Sequence, residues 1–409
     1  MNILYISYNG ALEPLGQSQV ISYLTRLSLK EGLVFTLLTF ERENDLRDDK
    51  SFEKISGILE ENKIEWHRLT YHKQPFLVST VYDILLGVIY SLRLISKNKI
   101  SVIHARSYVP AVIACIIKKA LNKKIKFIFD MRGMMIDEYA EGGIFKKNGV
   151  IYRLGKIIEK RILLLSDRIV VLTERIKNTI DDCDYLKGKK DLKTAVIPCC
   201  VDLRKFSPDL PKGEIRRKLG LTGTFIFVYA GSVGTWYFLE GMLDLFKIAK
   251  KIIPTAHFLF INRDNAAILK NEILVKGLDG KDFTIIRSGY DDMPYYISEC
   301  DAGVIFYKQL FSRQACCPVK FGEYLSCGIP LVLNSGIGDT EEIVRTHRIG
   351  GIVKEFSEDY YADAINELLE IKKEGPGVKQ RCRSVAEKLL SLEIGINKYA
   401  GIYKELKET

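Results

Sequence analysis

The sequence has 409 residues, 47% of them hydrophobic and 27% charged, with a formal charge of +10. That length exceeds what one hydrophobic core organises, so two domains of about 200 residues each are expected, and the balanced composition excludes a disordered chain. The nine cysteines include the adjacent pairs Cys199-Cys200 and Cys316-Cys317 and never occur as Cys-x-x-Cys, which argues against a disulfide framework or a zinc site and for a reducing, cytoplasmic compartment.

The opening residues lack the basic flank of a secretion signal and read as a buried strand over Ile3–Ser7. A loop with Gly10 and Gly16 follows, then a helix over Gln17–Lys30. Strand, glycine loop and helix start can present backbone N–H groups to an anion, and the two glycines are read as admitting conformations that other residues resist. A plain turn is an equal reading. After a strand over Val34–Thr39, the stretch Phe76 to Ile95 is apolar enough to pass a loose transmembrane scan. Asp83, Gly87 and Arg93 favour a buried or surface-docked amphipathic helix instead.

Strands are expected at Val102–His104, Lys126–Phe129, Arg168–Leu172 and Ala195–Ile197, with a helix over Val109–Leu121. His104, at a strand end with Arg106 two residues on, is a candidate catalytic group or a structural histidine. Asp130 and Arg132 follow the next strand, where Arg132 would hold a phosphate or a sugar hydroxyl; the alternative is a structural ion pair.

The second half repeats the scheme, with strands at Thr224–Tyr229, Ala256–Ile261, Phe283–Arg287, Ala302–Phe306 and Leu331–Asn334 and a helix over Phe238–Ile252 that Pro254 ends. Alternation of strands and helices implies two doubly wound α/β domains, residues 1–203 and 204–393. Arg204 to Leu219 reads as the crossing linker, and 394–409 as a helix packing back across the domains. Ligands in such sheets bind outside the carboxyl ends of the strands, so a cleft between the domains is the expected site. Gly231 and Ser232 end the first strand of the second domain, followed by Trp236 and Tyr237 as pocket walls or core aromatics.

Charge is uneven. Residues 1–200 hold 32 Lys+Arg against 23 Asp+Glu, and the remainder 29 against 28. A basic half facing an anionic partner is the functional reading; scattered surface lysines are the other.

The stretch Pro318 to Pro330 is the most informative. Lys320 and Glu323 share one face of a helix that starts after Pro318 and stops at Gly328 and Pro330. A lysine can neutralise a diphosphate and a carboxylate can accept from two ribose hydroxyls, both beside a helix N-terminus.

Pro318 to Val332 resembles the donor-site helix of the retaining glycosyltransferases of family 4, which have the GT-B fold. Gly16-Gln17-Ser18, Phe129 to Gly133, Asp167 to Thr173 and Val196 to Asp202 are similar to further parts of that family, in order. The resemblance implies two Rossmann-like domains facing a cleft: an N-terminal acceptor domain and a C-terminal nucleotide-sugar domain. It implies transfer of a sugar from a nucleotide-sugar donor, with retention, without a required metal or other cofactor. Glu323 would bind the donor ribose and Lys320 the diphosphate, with Gly16, Gln17, Gly231 and Ser232 close to the nucleotide sugar.

Three departures stand out. The first of the family's two glutamates falls at Ala315, its usual Arg and Lys fall near Ser232 and Tyr237, and Arg132 stands in place of a histidine. Arg263 and Arg313, with Lys320, are the expected substitutes for the missing cations. The acceptor expected is a glycan or a lipid-linked glycan in surface polysaccharide assembly, at the cytosolic face of an anionic membrane, with no nucleic acid as partner. A nucleotide-sugar epimerase and a nonenzymatic nucleotide-sugar-binding protein are the alternatives.

Overall fold

The computed structural model describes residues 1–30, 32–121, 124–186, 193–262 and 266–408. The chain forms two compact units, the first comprising Met1–Pro198 and Gly395–Thr409, the second Cys199–Ile394.

In the first unit β1 (Asn2–Ser7), β2 (Val34–Glu41), β3 (Glu65–Thr70), β4 (Val102–Arg106), β5 (Lys126–Asp130), β6 (Arg168–Val171) and β7 (Lys193–Val196) make one parallel sheet, ordered β3-β2-β1-β4-β5-β6-β7. Its central strands are buried along nearly their whole length, which is why they read as unbroken apolar runs rather than alternating ones. Strand order reverses between β1 and β4. The register there pairs Ser7 with Arg106 and Arg106 with Asp130, so the carboxyl ends of three strands deliver polar side chains to one place.

The second unit repeats the design with β8 (Phe225–Ala230), β9 (Ala256–Ile261), β10 (Phe283–Ile286), β11 (Ala302–Ile305), β12 (Leu331–Asn334) and β13 (Gly350–Val353), ordered β10-β9-β8-β11-β12-β13 and also parallel. Here the reversal lies between β8 and β11, beside which the helix Val319–Ser326 starts.

Two strands have no counterpart in the sequence reading. β3 (Glu-Trp-His-Arg-Leu-Thr) is a polar edge strand in which only Leu69 is buried. β13 begins with Gly350 and Gly351, residues that weaken any strand signal. The packing needs both: a Cβ on Gly350 would lie 2.0 Å from the Leu331 carbonyl oxygen, and one on Gly351 2.0 Å from that of Ala364.

The unit boundary lies between Pro198 and Cys199, ahead of the expected 203/204. Val201 donates its N–H to Leu390 and accepts from Leu392, at 2.8 and 2.9 Å, which ties it into the second unit. Arg204 to Leu219 is likewise part of that unit rather than a linker: Phe206 is fully buried in its core and Glu214–Leu219 is helical. The last helix is Leu392–Glu408, which joins the first unit from Gly395 onward. The expected helix Gln17–Lys30 starts earlier, at Pro14, carries a π-helical turn over Gln17–Ile21 and ends at Leu27. Phe76–Asn98 forms one helix, long and apolar enough to cross a membrane by length and composition.

Candidate functional site

The second unit gathers most of the expected site residues. Lys320 and Glu323 lie on the helix Val319–Ser326, one turn apart, 6% and 7% exposed. The Lys320 ammonium has no hydrogen-bond partner among the described residues. It sits instead over the rings of Tyr229 and Tyr237, at 4.0 and 4.1 Å from their centroids, a cation–π arrangement that holds charge without neutralising it. Burial pushes its pKa down to about 7, against the pull of Glu323; burial pushes Glu323 up to about 7, against the pull of Lys320.

Gly231 makes this geometry possible. Its φ is +136°, and a Cβ there would lie 3.0 Å from Lys320 Nζ. The lysine head therefore abuts the loop that leaves β8. Asn262, just past β9, donates to the Gly231 carbonyl at 2.8 Å, and the Tyr229 hydroxyl, from β8 itself, donates to the Ser232 carbonyl, so two successive carbonyls of the turn are held.

Arg313, on the short helix Phe311–Ala315, is also buried. Its guanidinium lies over Trp236 and Tyr307, at 5.3 and 5.7 Å, and donates to the Ser312 hydroxyl at 2.9 Å. The rings of Tyr237 and Tyr307 meet at a tilt, 4.7 Å between centroids, so one aromatic cluster carries both cations. Arg263, the third expected cation, lies outside the described residues.

In the first unit the expected catalytic groups form a buried polar cluster. Asp130 has no exposure. It lies 3.4 Å from Arg132, 3.5 Å from Arg106 and 3.5 Å from His104 Nε2, and accepts from the Tyr399 hydroxyl at 3.0 Å. Burial opposes its ionisation, but Arg132, His104 and Arg106 outweigh burial and hold the carboxyl well below its usual range. His104 is 1% exposed, with Nδ1 2.6 Å from the Tyr403 hydroxyl. Burial lowers its pKa despite Asp130. His104 and Asp130, at 1% and 0% exposure, lie at the inner end of this cluster. Arg132 is the part-exposed member, and its second nitrogen donates to Gln19 at 3.3 Å.

The glycine loop also differs from its reading. Gly16 is helical, with φ −62°, and Gly10 is not left-handed either. Close approach is what requires them: a Cβ on Gly16 would lie 2.0 Å from the Gly10 carbonyl oxygen, and one on Gly10 2.3 Å from Glu41. Buried Glu41 accepts from the N–H of Ala11 at 2.7 Å, so this N–H is already satisfied by a carboxylate. Gln17 donates to the Leu12 carbonyl. Gln19, two residues on and turned inward by the π-helical turn, is the glutamine that meets Arg132. Beside this loop, a cavity of about 290 Å³ is lined by Tyr8, Tyr71, Phe76, Thr80 and Tyr139, with the ion pair Glu13–Arg42 at 3.0 Å among its walls.

Two family models match, Glycosyltransferase Family 4 over residues 15–205 and Glycosyl transferases group 1 over residues 211–387. The chain belongs to the family 4 glycosyltransferases. Its GT-B fold, two Rossmann-like units, is shared with solved structures of low identity. A glycosyltransferase from Rickettsia africae ESF-5 is 14% identical at a TM-score of 0.72, covering 100% of this chain and 99% of that one. Sucrose-phosphate synthase from Thermosynechococcus elongatus is 14% identical at 0.70, with the same coverage. Anabaena Alr3699/HepE in complex with UDP-glucose is 13% identical at 0.67, covering 99% and 100%. No curated protein matches the sequence.

The glycosyltransferase departs from its family's charge pattern in a consistent way. Ala315 is buried where a glutamate is usual, and Tyr237 stands where a basic residue is usual. Rings, rather than further charges, surround the cations that remain. Tyr229, Tyr237 and Tyr307 are not separable from core aromatics by sequence; Tyr307 lies two residues past β11, and that place after a strand end is the one available signal.

Proposed function

We propose that this glycosyltransferase binds its nucleoside diphosphate sugar at Gly231, Ser232, Arg313, Lys320 and Glu323. It transfers the sugar, with retention, to a glycan or lipid-linked acceptor at the cytosolic face of a membrane during surface polysaccharide assembly. The observation that carries the donor assignment is the Lys320 ammonium, buried against a glycine loop without a hydrogen-bond partner among the described residues. A buried cation in that state costs free energy that an anionic ligand would recover. The diphosphate supplies that anion, and Glu323 one turn on accepts from the ribose hydroxyls.

In the transfer, the bond from the sugar C1 to the diphosphate oxygen breaks and a bond from C1 to the acceptor oxygen forms. The acceptor proton passes to the departing phosphate, so no strong protein base is needed. Lys320, Arg313 and the first N–H groups of helix Val319–Ser326 stabilise the charge that develops on the leaving group. These cations take the place of a metal, so chelation should leave the rate unchanged. Arg132, held by Asp130 and Gln19, meets the transferred sugar or the acceptor.

The HepE structures contain UDP, UDP with glucose, and UDP-glucose, which makes UDP the first probe. A thermal-shift screen of UDP, GDP, ADP and CMP should stabilise the protein with one nucleoside diphosphate, and Lys320→Met should abolish the shift. No shift with any nucleotide would sink the donor site. Conversion of the sugar nucleotide without acceptor would mark an epimerase, and binding without transfer or hydrolysis a nonenzymatic binding protein. The anomeric configuration of the product, read by NMR, tests retention.

A further inference from the structure

Two helices of the first unit are amphipathic in the wrong sense for a surface facing water. Helix Phe76–Asn98 turns Ser79, Asp83, Gly87 and Ser91 inward and leaves Val78, Val81, Tyr82, Leu85 and Ile89 exposed. The inward face is bound by polarity and close fit, not by apolar area. Asp83 accepts from the Tyr8 hydroxyl at 2.7 Å and from the His72 N–H at 3.1 Å, and a Cβ on Gly87 would lie 2.5 Å from Ile113. Helix Val150–Leu165 repeats the inversion. Gly155 and Glu159 face inward, Glu159 accepting from Tyr108 at 2.7 Å, while Ile151, Leu154, Ile157 and Ile158 are exposed. Helix Tyr108–Ala120 packs against both and exposes Ile116 between them. A solvated helix buries its apolar stripe; here three neighbouring helices share one apolar outer face, larger than the scattered apolar residues of an ordinary surface.

The charge on this face has one sign. Asp83 and Glu159 are the sole acidic residues in the three helices, and both are buried. The exposed charges of the three helices are Arg93, Lys97, Lys119, Arg153, Lys160 and Arg161, with Lys146 and Lys147 in the loop that precedes helix Val150–Leu165. Apolar side chains among cations, with both acidic residues of the helices withdrawn, is the complement of a bilayer surface carrying anionic headgroups.

The geometry points to an interfacial docking surface: the outer faces of helices Phe76–Asn98, Tyr108–Ala120 and Val150–Leu165 lie on an anionic lipid bilayer, parallel to it. The first helix, about 35 Å long, is held flat by Asp83, whose partners Tyr8 and His72 belong to the folded unit. Phe76 and Thr80 of the same helix line the 290 Å³ cavity, so docking brings that cavity next to the lipid and defines the acceptor as one presented from the bilayer. The occupant of the cavity rests on the transfer reading above; the docking itself does not.

Flotation of the whole protein with phosphatidylcholine vesicles, and with vesicles of equal parts phosphatidylcholine and phosphatidylglycerol, tests this. Binding to the anionic vesicles alone is expected, weakened about tenfold when salt is raised so that the screening length falls from about 10 to about 3 Å. Leu85→Asp with Ile89→Asp, and separately Leu154→Asp with Ile157→Asp, should each cut the bound fraction about tenfold. Lys160→Glu with Arg161→Glu should do so at low salt. All six side chains are exposed, so melting temperature and the nucleotide-induced thermal shift should stay as in wild type, which separates loss of docking from loss of the donor site. Wild-type protein that fails to float with anionic vesicles, or variants that float equally well, would overturn the proposal. So would a lipid-free dimer, seen by light scattering, that Leu85→Asp with Ile89→Asp dissociates, because a second copy would then be the natural cover.

Discussion

The two units treat buried positive charge in opposite ways. In the first, Arg106 and Arg132 share Asp130, and a histidine and a tyrosine hydroxyl complete the cluster. In the second, Lys320 and Arg313 rest on aromatic rings. A carboxylate at contact cancels a cation's field, whereas a ring face holds the cation and leaves most of the field available. The first arrangement fixes the position of one arginine. The second keeps charge in reserve for an anion that arrives later.

The largest effect should come from removing that reserve. Lys320→Met should weaken nucleotide-sugar binding by about 10- to 100-fold, the worth of a charge-assisted hydrogen bond, by titration calorimetry. The free protein should meanwhile become more stable, because a buried cation without a hydrogen-bond partner among the described residues is gone. Lower stability together with unchanged affinity would break the comparison. Gly231→Ala comes next. Strain at φ +136° and the approach to Lys320 should cost about 1–3 kcal/mol in urea unfolding, with donor affinity falling in parallel.

The pH dependence follows from the same pair. Binding needs Lys320 protonated and Glu323 ionised, and both have been moved to about 7. Affinity for the nucleotide sugar should therefore peak near neutrality and fall on either side. For the free protein the signs differ between the two groups. Glu323 is raised, so the folded state holds more protons than the unfolded between pH 4.5 and 7, and its contribution to stability falls as pH rises through that window. Lys320 is lowered, so the unfolded state holds more protons between about pH 7 and 10.5, and its contribution rises with pH there. Glu323→Gln should flatten the first slope and Lys320→Met the second.

The smallest effect should be Tyr399→Phe. Losing one hydrogen bond to Asp130 costs about 1 kcal/mol. If the cluster serves to position Arg132, kcat should drop with little change in donor affinity. A fall in thermal stability with kcat intact would reduce the cluster to a structural role.

How much of this was legible in the sequence follows the same division. The central strands could be read because parallel strands buried on both faces are continuous apolar runs. Lys320 and Glu323 could be read because Pro318 and Gly328 bracket their helix. β3 could not, because an edge strand needs little apolar content, nor could β13, whose glycines answer to carbonyl oxygens far along the chain. The surroundings of Asp130 and His104 were hidden for the same reason. Their partners Tyr399 and Tyr403 lie more than 250 residues later, and no local pattern announces a hydroxyl arriving from so far.

That distance also sets an order of events during synthesis. The chain leaves the ribosome from its N-terminus, so β4 and β5 emerge with Asp130, Arg106 and His104 long before Tyr399 and Tyr403 exist. Every residue of the second unit has been made before the first receives its last two hydroxyls. The earlier-born unit is thus the later to be finished, and a nascent chain stalled between residues 394 and 399 would carry a complete second unit and a first unit whose buried aspartate is still short of a donor.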